Sequence, residues 1–209
     1  MRIFGIDPGS ARTGYGCIQT GGSRHTLIAF GTISAPAGAS FPLKLQVIHR
    51  ELSALIAEHR PDCIAIEDLF HAKNVRSALK LGHARGVALL AAMEANVPIA
   101  EYAPSEIKQA VVGYGRADKG QMQHMVQILL GLADPPSPHD AADALAAAIC
   151  HSHRASSIVS QLAGALPAAP RSWRDFRPAG AKERSGVSGA PRATEPGGVQ
   201  GSPPSINEA

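Results

Sequence analysis

Ile3-Phe4-Gly5-Ile6-Asp7-Pro8-Gly9-Ser10 opens with a short apolar run that ends in an acid and a Pro-Gly turn. Apolar residues bounded by turn residues predict a buried strand. Further strand patterns follow over residues 13–20 and 26–33, with Gly21-Gly22 as the turn between them. Three neighbouring strands on short loops predict an antiparallel meander. Beyond it, Leu45, Ile48, Leu52, Leu55 and Ile56 recur at helical spacing over residues 43–59. Residues 63–68 predict a strand. Residues 77–95 predict a long Ala/Leu-rich helix interrupted by Gly82 and Gly86, and residues 97–102 another strand. Helices are expected over 105–111, 119–130 and 137–153. The expectation is a mixed α/β domain around one sheet.

Composition bounds the possibilities. The 209 residues are 44% hydrophobic, enough for one buried core. No run of 18 apolar residues exists to span a membrane, and the charges of Arg2 and Asp7 come too early for a secretory segment. Cys17, Cys63 and Cys150 are odd in number and widely spaced, which argues against a disulfide framework or a zinc module. A reducing, cytosolic setting is expected. Residues 1–153 carry 13 basic and 13 acidic side chains, so the net charge of +3 sits entirely in the remainder. Overall charge therefore gives no argument for nucleic acid. Residues 155–209 hold 7 Pro and 7 Gly and lose all periodicity, so a folded domain over 1–154 and a disordered Pro/Gly/Ser/Ala-rich tail over 155–209 are expected. In that tail, Trp173, Arg174, Phe176 and Arg177 are the residues able to form a short adhesive motif.

Four acids stand out, each with an ordinary structural explanation as well. Asp7 ends the first strand at the carboxyl edge of the sheet, where open α/β folds place ligands, and it also suits a Pro-Gly bend. Glu67 ends the strand Cys63-Ile64-Ala65-Ile66-Glu67 and shares a face with the small residues Ala65 and Cys63. Asp68 points to the other face, with Ile64 and Ile66. Asp140 and Asp143, three apart, share one face of an Ala-rich helix that can lie close to a sheet. Ser137-Pro138-His139-Asp140 also fits a helix cap, with Pro138 at the first helical position. If the four converge they repel, and need a compensating cation. Hard oxygen ligands select Mg²⁺ or Mn²⁺ over zinc. Two ions about 4 Å apart activate a water and stabilise the leaving oxygen of a phosphodiester. His139 fits either a supporting role or a surface position, and His151 and His153 fit the charge balance of a helix end.

These residues, in this order, resemble the RuvC family of bacterial crossover-junction endodeoxyribonucleases. The likeness covers most of residues 1–153. It includes Gly5-Ile6-Asp7-Pro8-Gly9-Ser10 with Thr13-Gly14-Tyr15-Gly16, Glu67-Asp68-Leu69-Phe70 followed by Ala72-Lys73-Asn74, and Ala78-Leu79-Lys80-Leu81-Gly82. It continues through Ala84-Arg85-Gly86-Val87, Lys108-Gln109-Ala110-Val111-Val112-Gly113 and Gln123-His124-Met125-Val126 to Asp140-Ala141-Ala142-Asp143-Ala144-Leu145. The first motif is shared with actin-like ATPases; the ordered set is specific. The resemblance implies a ribonuclease H-like mixed sheet flanked by helices. It implies a homodimer that cuts four-way (Holliday) DNA junctions by symmetric paired nicks in recombination and repair. Asp7, Glu67, Asp140 and Asp143 would be its catalytic, metal-binding acids, holding two Mg²⁺ per subunit with Mn²⁺ able to substitute. Lys108 and Lys119 match basic positions beside the scissile strand, and Phe70 an aromatic that stacks at the junction. The RuvA–RuvB branch-migration complex would be the partner.

The basic residues read alone agree. Lys73, Arg76, Lys108 and Lys119 are candidate DNA contacts, because cations near a carboxylate site position phosphates. Lys73, Arg76 and Lys80 also fit a solvated helix stripe, and Phe70 a core position. Gly113-Tyr114-Gly115, with Arg116 at its edge, predicts a loop between helices. Three other functions compete: a ribonuclease H-like nuclease on hybrids or plain duplexes, an actin-like ATPase, and a non-catalytic junction binder. The ATPase reading lacks a second Asp-Gly phosphate loop and room for two lobes.

Overall fold

Side-chain alternation on the first strand divides the molecule into two faces. The computed structural model describes residues 1–22, 24–68 and 74–165. β1 (Arg2–Asp7), β2 (Arg12–Gly21) and β3 (Arg24–Ser34) form the expected antiparallel meander. β4 (Cys63–Glu67) pairs parallel to β1, and β5 (Ile99–Tyr102) parallel to β4. Parallel neighbours need crossovers, which α1 (Phe41–His59) and α2 (Val75–Glu94) supply. The strand order is β3-β2-β1-β4-β5, the mixed sheet of a ribonuclease H-like fold.

Phe4, Ile6, Ile64 and Ile66 point to one face, where they pack with Ile48, Leu52 and Ile56 of α1 and Ala84, Ala88 and Ala92 of α2. Ile3, Ile18 and Ala65 point to the other, against α3 (Pro104–Val112), α4 (Lys119–Leu130) and α5 (His139–Ala165). α2 is continuous through Gly82 and Gly86, where an added Cβ would meet only open space.

Two expectations are corrected at α5. The helix begins at His139, and the Pro138 carbonyl accepts from the N–H groups of Ala141 (3.1 Å) and Ala142 (3.3 Å). Pro138, not Ser137, is therefore the cap residue, and Asp140 is an acid in the first turn. The helix also runs to Ala165, past the expected end at 153 and the expected domain boundary at 154. No proline falls between Arg154 and Ala165, and extending an established helix is easy where nothing breaks it. Residues 166–209, with Trp173 and Phe176, lie outside the described residues.

Candidate active site

Asp7 and Glu67 leave the sheet side by side. Ile6 is in register with Ile66 on the paired strands, so the next residues end β1 and β4 at one level. Alternation turns both acids toward α5. Asp140 and Asp143 come down on them from the first turns of that helix. The four carboxylates, with Lys108 and Lys119, line one cavity of about 300 Å³, floored by Pro104, Ile107 and Met122.

The close approach of α5 is built from both sides. Its alanines 141, 142, 144 and 146–148 are buried. The strands answer with glycines: a Cβ on Gly5 would collide with the Ala144 carbonyl, and one on Gly14 with the Asp140 carbonyl. A Cβ on Gly16 would lie 2.6 Å from Leu145. These glycines admit helix backbone where side chains would stand.

The lysines are held by helix starts. Lys108 lies in α3, whose first turn is fixed by Pro104 and by Glu106 Oε2 accepting from the Ala103 N–H (2.9 Å). Lys119 is the first residue of α4. Asp118 caps that helix: its Oδ1 accepts from Gln121 N–H (2.9 Å), while Gln121 Oε1 accepts from Asp118 N–H (3.0 Å).

Burial and mutual repulsion raise Asp7, Glu67 and Asp143. Asp7 is pushed up to about 8, first by burial, then by the charges of Glu67, Asp143 and Asp140, against the pull of Lys119. Glu67 is pushed up to about 7, by burial and then Asp143, opposed by Lys108, Lys119 and a hydrogen bond with Asp7. Asp143 is raised by burial first, with Lys119 opposing and Asp140 adding. Arg12 stands 3.7 Å from Asp140. Among the described residues no three His, Cys, Asp or Glu side chains are already closed around an ion-sized point. An all-oxygen donor set at the rim of one cavity, short of positive charge, nevertheless suits hard divalent cations.

The structure brings Asp7, Glu67, Asp140, Asp143, Lys108 and Lys119 together. Arg76 is exposed on the first turn of α2 and is not among the cavity-lining residues. Phe70 and Lys73 lie outside the described residues. His139 is exposed and acts on the site only by lowering Asp143. His151 and His153 do not balance a helix end, because the helix continues: His151 Nδ1 accepts from the Tyr102 hydroxyl (2.8 Å), and His153 Nδ1 donates to the Ala110 carbonyl (2.9 Å). Two roles were missed in sequence. Arg85 of α2 bridges Asp68 (3.2 Å) and Glu101 on the far face, fixing the strand end that carries Glu67. Arg12 pairs with Asp140. Only the alternation that separates Glu67 from Asp68 pointed toward the first.

The sheet order, the acids on two adjacent strand ends and the acids of the helix laid across them define a ribonuclease H-like domain with an acidic site at the carboxyl edge of its sheet. The family model for crossover junction endodeoxyribonuclease RuvC matches residues 3–151, and the chain belongs to that family. It is 51% identical over 153 residues to a crossover junction endodeoxyribonuclease RuvC of Syntrophomonas wolfei, covering 73% of this chain and 89% of the relative. The structure of Thermus thermophilus RuvC superposes with a TM-score of 0.69 at 33% identity, covering 75% of this chain and 96% of that one. Thermus RuvC in complex with a Holliday junction substrate gives the same TM-score at 31% identity, with the same coverage.

Proposed function

We propose that this chain is a metal-dependent crossover junction endodeoxyribonuclease that resolves four-way DNA junctions by symmetric paired nicks, in recombination and repair. One observation carries the reading: four carboxylates from three separate elements meet around one cavity with two lysines in its wall. Asp7, Glu67, Asp140 and Asp143 would hold two Mg²⁺, or Mn²⁺, which when bound supply an activated water and charge stabilisation on the leaving oxygen. The chain's own residues prepare this. The raised acids would give up their protons on binding cations, and α5 and the two strand ends fix the separation of the carboxylates. Lys108 and Lys119 hold the phosphate of the scissile strand at the rim, and Arg76, Lys73 and Phe70 contact the DNA beyond it.

Paired nicks need two sites, and the support for a homodimer is the free face of α2. Val75 (76% exposed), Leu79, Leu90 and Met93 stand uncovered on a helix where Gly82 and Gly86 leave room for a second backbone. That face is the proposed contact between two copies. A DNA substrate supports a cytoplasmic location, and family membership supports action with the RuvA–RuvB complex. The test is an immobile four-way junction labelled on each strand, with Mg²⁺ or with a chelator. Symmetric nicks that require Mg²⁺ and leave ligatable ends are expected. Equal cutting of plain duplex, or binding without nicks in Mg²⁺ and Mn²⁺ alike, would overturn the reading.

A further inference from the structure

The loop between α3 and α4 carries two large side chains that the site as described does not use. Gly113 ends α3 in a left-handed conformation (φ 88°), with its N–H on the Gln109 carbonyl (3.0 Å). Gln109 Nε2 donates back to the Gly113 carbonyl (2.9 Å) and pins the turn. The chain then doubles back along α3. At Gly115 it has reached the first turn of that helix, where an added Cβ would sit 3.7 Å from the Ser105 carbonyl oxygen. Ser105 follows Pro104, which lines the carboxylate cavity. Ala117, buried, anchors the loop again, and Asp118 caps the helix whose first residue is Lys119 in the cavity wall.

The loop is thus fixed at its start, middle and end, and runs beside the rim of the site. Its large side chains face outward: Tyr114 is 46% exposed, and Arg116 is exposed. A lone exposed aromatic needs no explanation by itself. This one is presented on a pinned loop, two residues from a cation, between the helices that supply the two cavity lysines. A flat π-face beside phosphate-binding cations is the arrangement that takes unstacked bases.

We propose that Tyr114 and Arg116 form an additional junction-contacting element: Tyr114 stacks on a base left open at the branch point, and Arg116 holds a neighbouring phosphate. This rests on the junction-nuclease reading above. Intact duplex offers no open base face, so Tyr114 contributes to preference for the junction, whereas Arg116 contributes to any DNA.

The experiment uses the full chain with Asp7→Asn, which stops cleavage, and compares affinity for a four-way junction and a linear duplex of equal length. Adding Tyr114→Ala should weaken junction binding by between about fivefold and a hundredfold, the range of one lost base stack. Duplex binding should stay unchanged, and Tyr114→Phe should bind as the parent does. Arg116→Ala should weaken both DNAs alike and reduce the salt dependence by about one phosphate contact. A fluorescent base analogue at the branch point should be quenched by the parent and by Tyr114→Phe, and not by Tyr114→Ala. Unchanged junction affinity in Tyr114→Ala, or equal loss on both DNAs, overturns the inference and leaves the nuclease reading standing. A parent that shows no junction preference overturns both.

Discussion

The two ends of the stretch of α5 that lies on the sheet, its first turns and residues 151–154, treat their polar groups in opposite ways. At the far end the polar side chains are tied in pairs, although His25 Nδ1 is buried without a hydrogen-bond partner among the described residues. The Tyr102 hydroxyl, pushed up to about 12 chiefly by burial, donates to His151 Nδ1, whose imidazole burial keeps neutral. His153 Nδ1 donates to the Ala110 carbonyl, leaving its Nε2 to accept from His25 Nε2 at 3.3 Å. Arg154 meets Glu106 at 2.7 Å. At the near end, burial and mutual repulsion raise the carboxyls of Asp7, Glu67 and Asp143 above their ordinary range. Matched polar groups stabilise a fold, whereas like charges forced together lower its stability unless a ligand neutralises them. The contrast separates the end that holds the helix in place from the end proposed to do the chemistry.

The sharpest way to break this contrast is Asp7→Asn. Removing one acid of the proposed metal-binding set should lower junction cleavage by a factor of about a thousand or more. The same change should stabilise the metal-free protein. A carboxyl at 3.8 when unfolded and about 8 when folded binds more protons in the folded state between those values, so its favourable contribution is present below pH 4 and lost as pH rises through 8. Asparagine removes that loss. Tm at pH 8 without metal should rise in Asp7→Asn, by the equivalent of a few kcal/mol, and much less at pH 5. Reduced stability at pH 8 would show that the near end is matched after all.

Next in size is Gly14→Ala. Its added methyl meets the Asp140 carbonyl, a backbone atom fixed by the start of α5. Overpacking of this kind costs about 1–3 kcal/mol, measured by denaturant unfolding, and here it also displaces Asp140 and lowers cleavage. Gly21→Ala, with open space around it, is the control and should change neither. Equal behaviour of the two would mean that the glycines of the strands do not set the approach of the helix.

Much of this was legible in the chain. The alternation that buries Ile3, Phe4 and Ile6 also fixes where Asp7 points, so the meander and the two strand-end acids followed from period-two patterning. The alanines of α5 announced a helix lying close to something. The strand glycines opposite were read as part of a motif, because a missing side chain shows no period and its use depends on which helix lands there. The length of α5 was misjudged because Pro and Gly density in the last 55 residues outweighed a proline-free stretch just after His153. The histidine ties and the Arg85 bridge join residues far apart in sequence, and no local pattern carries such pairings.

The far end has its own acid-base signature, opposite in sign to the near end. His25 is lowered by burial and then by His153, so the folded state resists its protonation. A histidine at 6.5 when unfolded and lower when folded leaves stability intact above pH 6.5, and stability falls as pH drops below it. Between pH 5 and 6.5 the two ends therefore oppose each other: His25 and His151 lose stability as pH falls, and the carboxylates lose it as pH rises. His25→Gln should steepen the loss of stability with rising pH below 6.5 and leave the slope above it as it was, by thermal unfolding of the metal-free protein from pH 5 to pH 9. An unchanged slope below pH 6.5 would show that His25 is not a group that resists protonation.

The smallest expected effect tests the matched end with least disturbance. Tyr102→Phe removes one oxygen, keeps the ring, and leaves His151 Nδ1 without its donor. A partly buried acceptor that loses its partner costs about 1–2 kcal/mol, read as a shift in denaturant midpoint at constant m-value. Junction cleavage per folded molecule should be unchanged, because the one atom removed is the hydroxyl oxygen paired with His151, and Tyr102 is not among the residues lining the carboxylate cavity. A stability loss with cleavage intact keeps the two ends of the helix separate. A fall in cleavage at full folding would show that the anchoring end also sets the spacing of the carboxylates, and α5 would then act as one rigid lever between them.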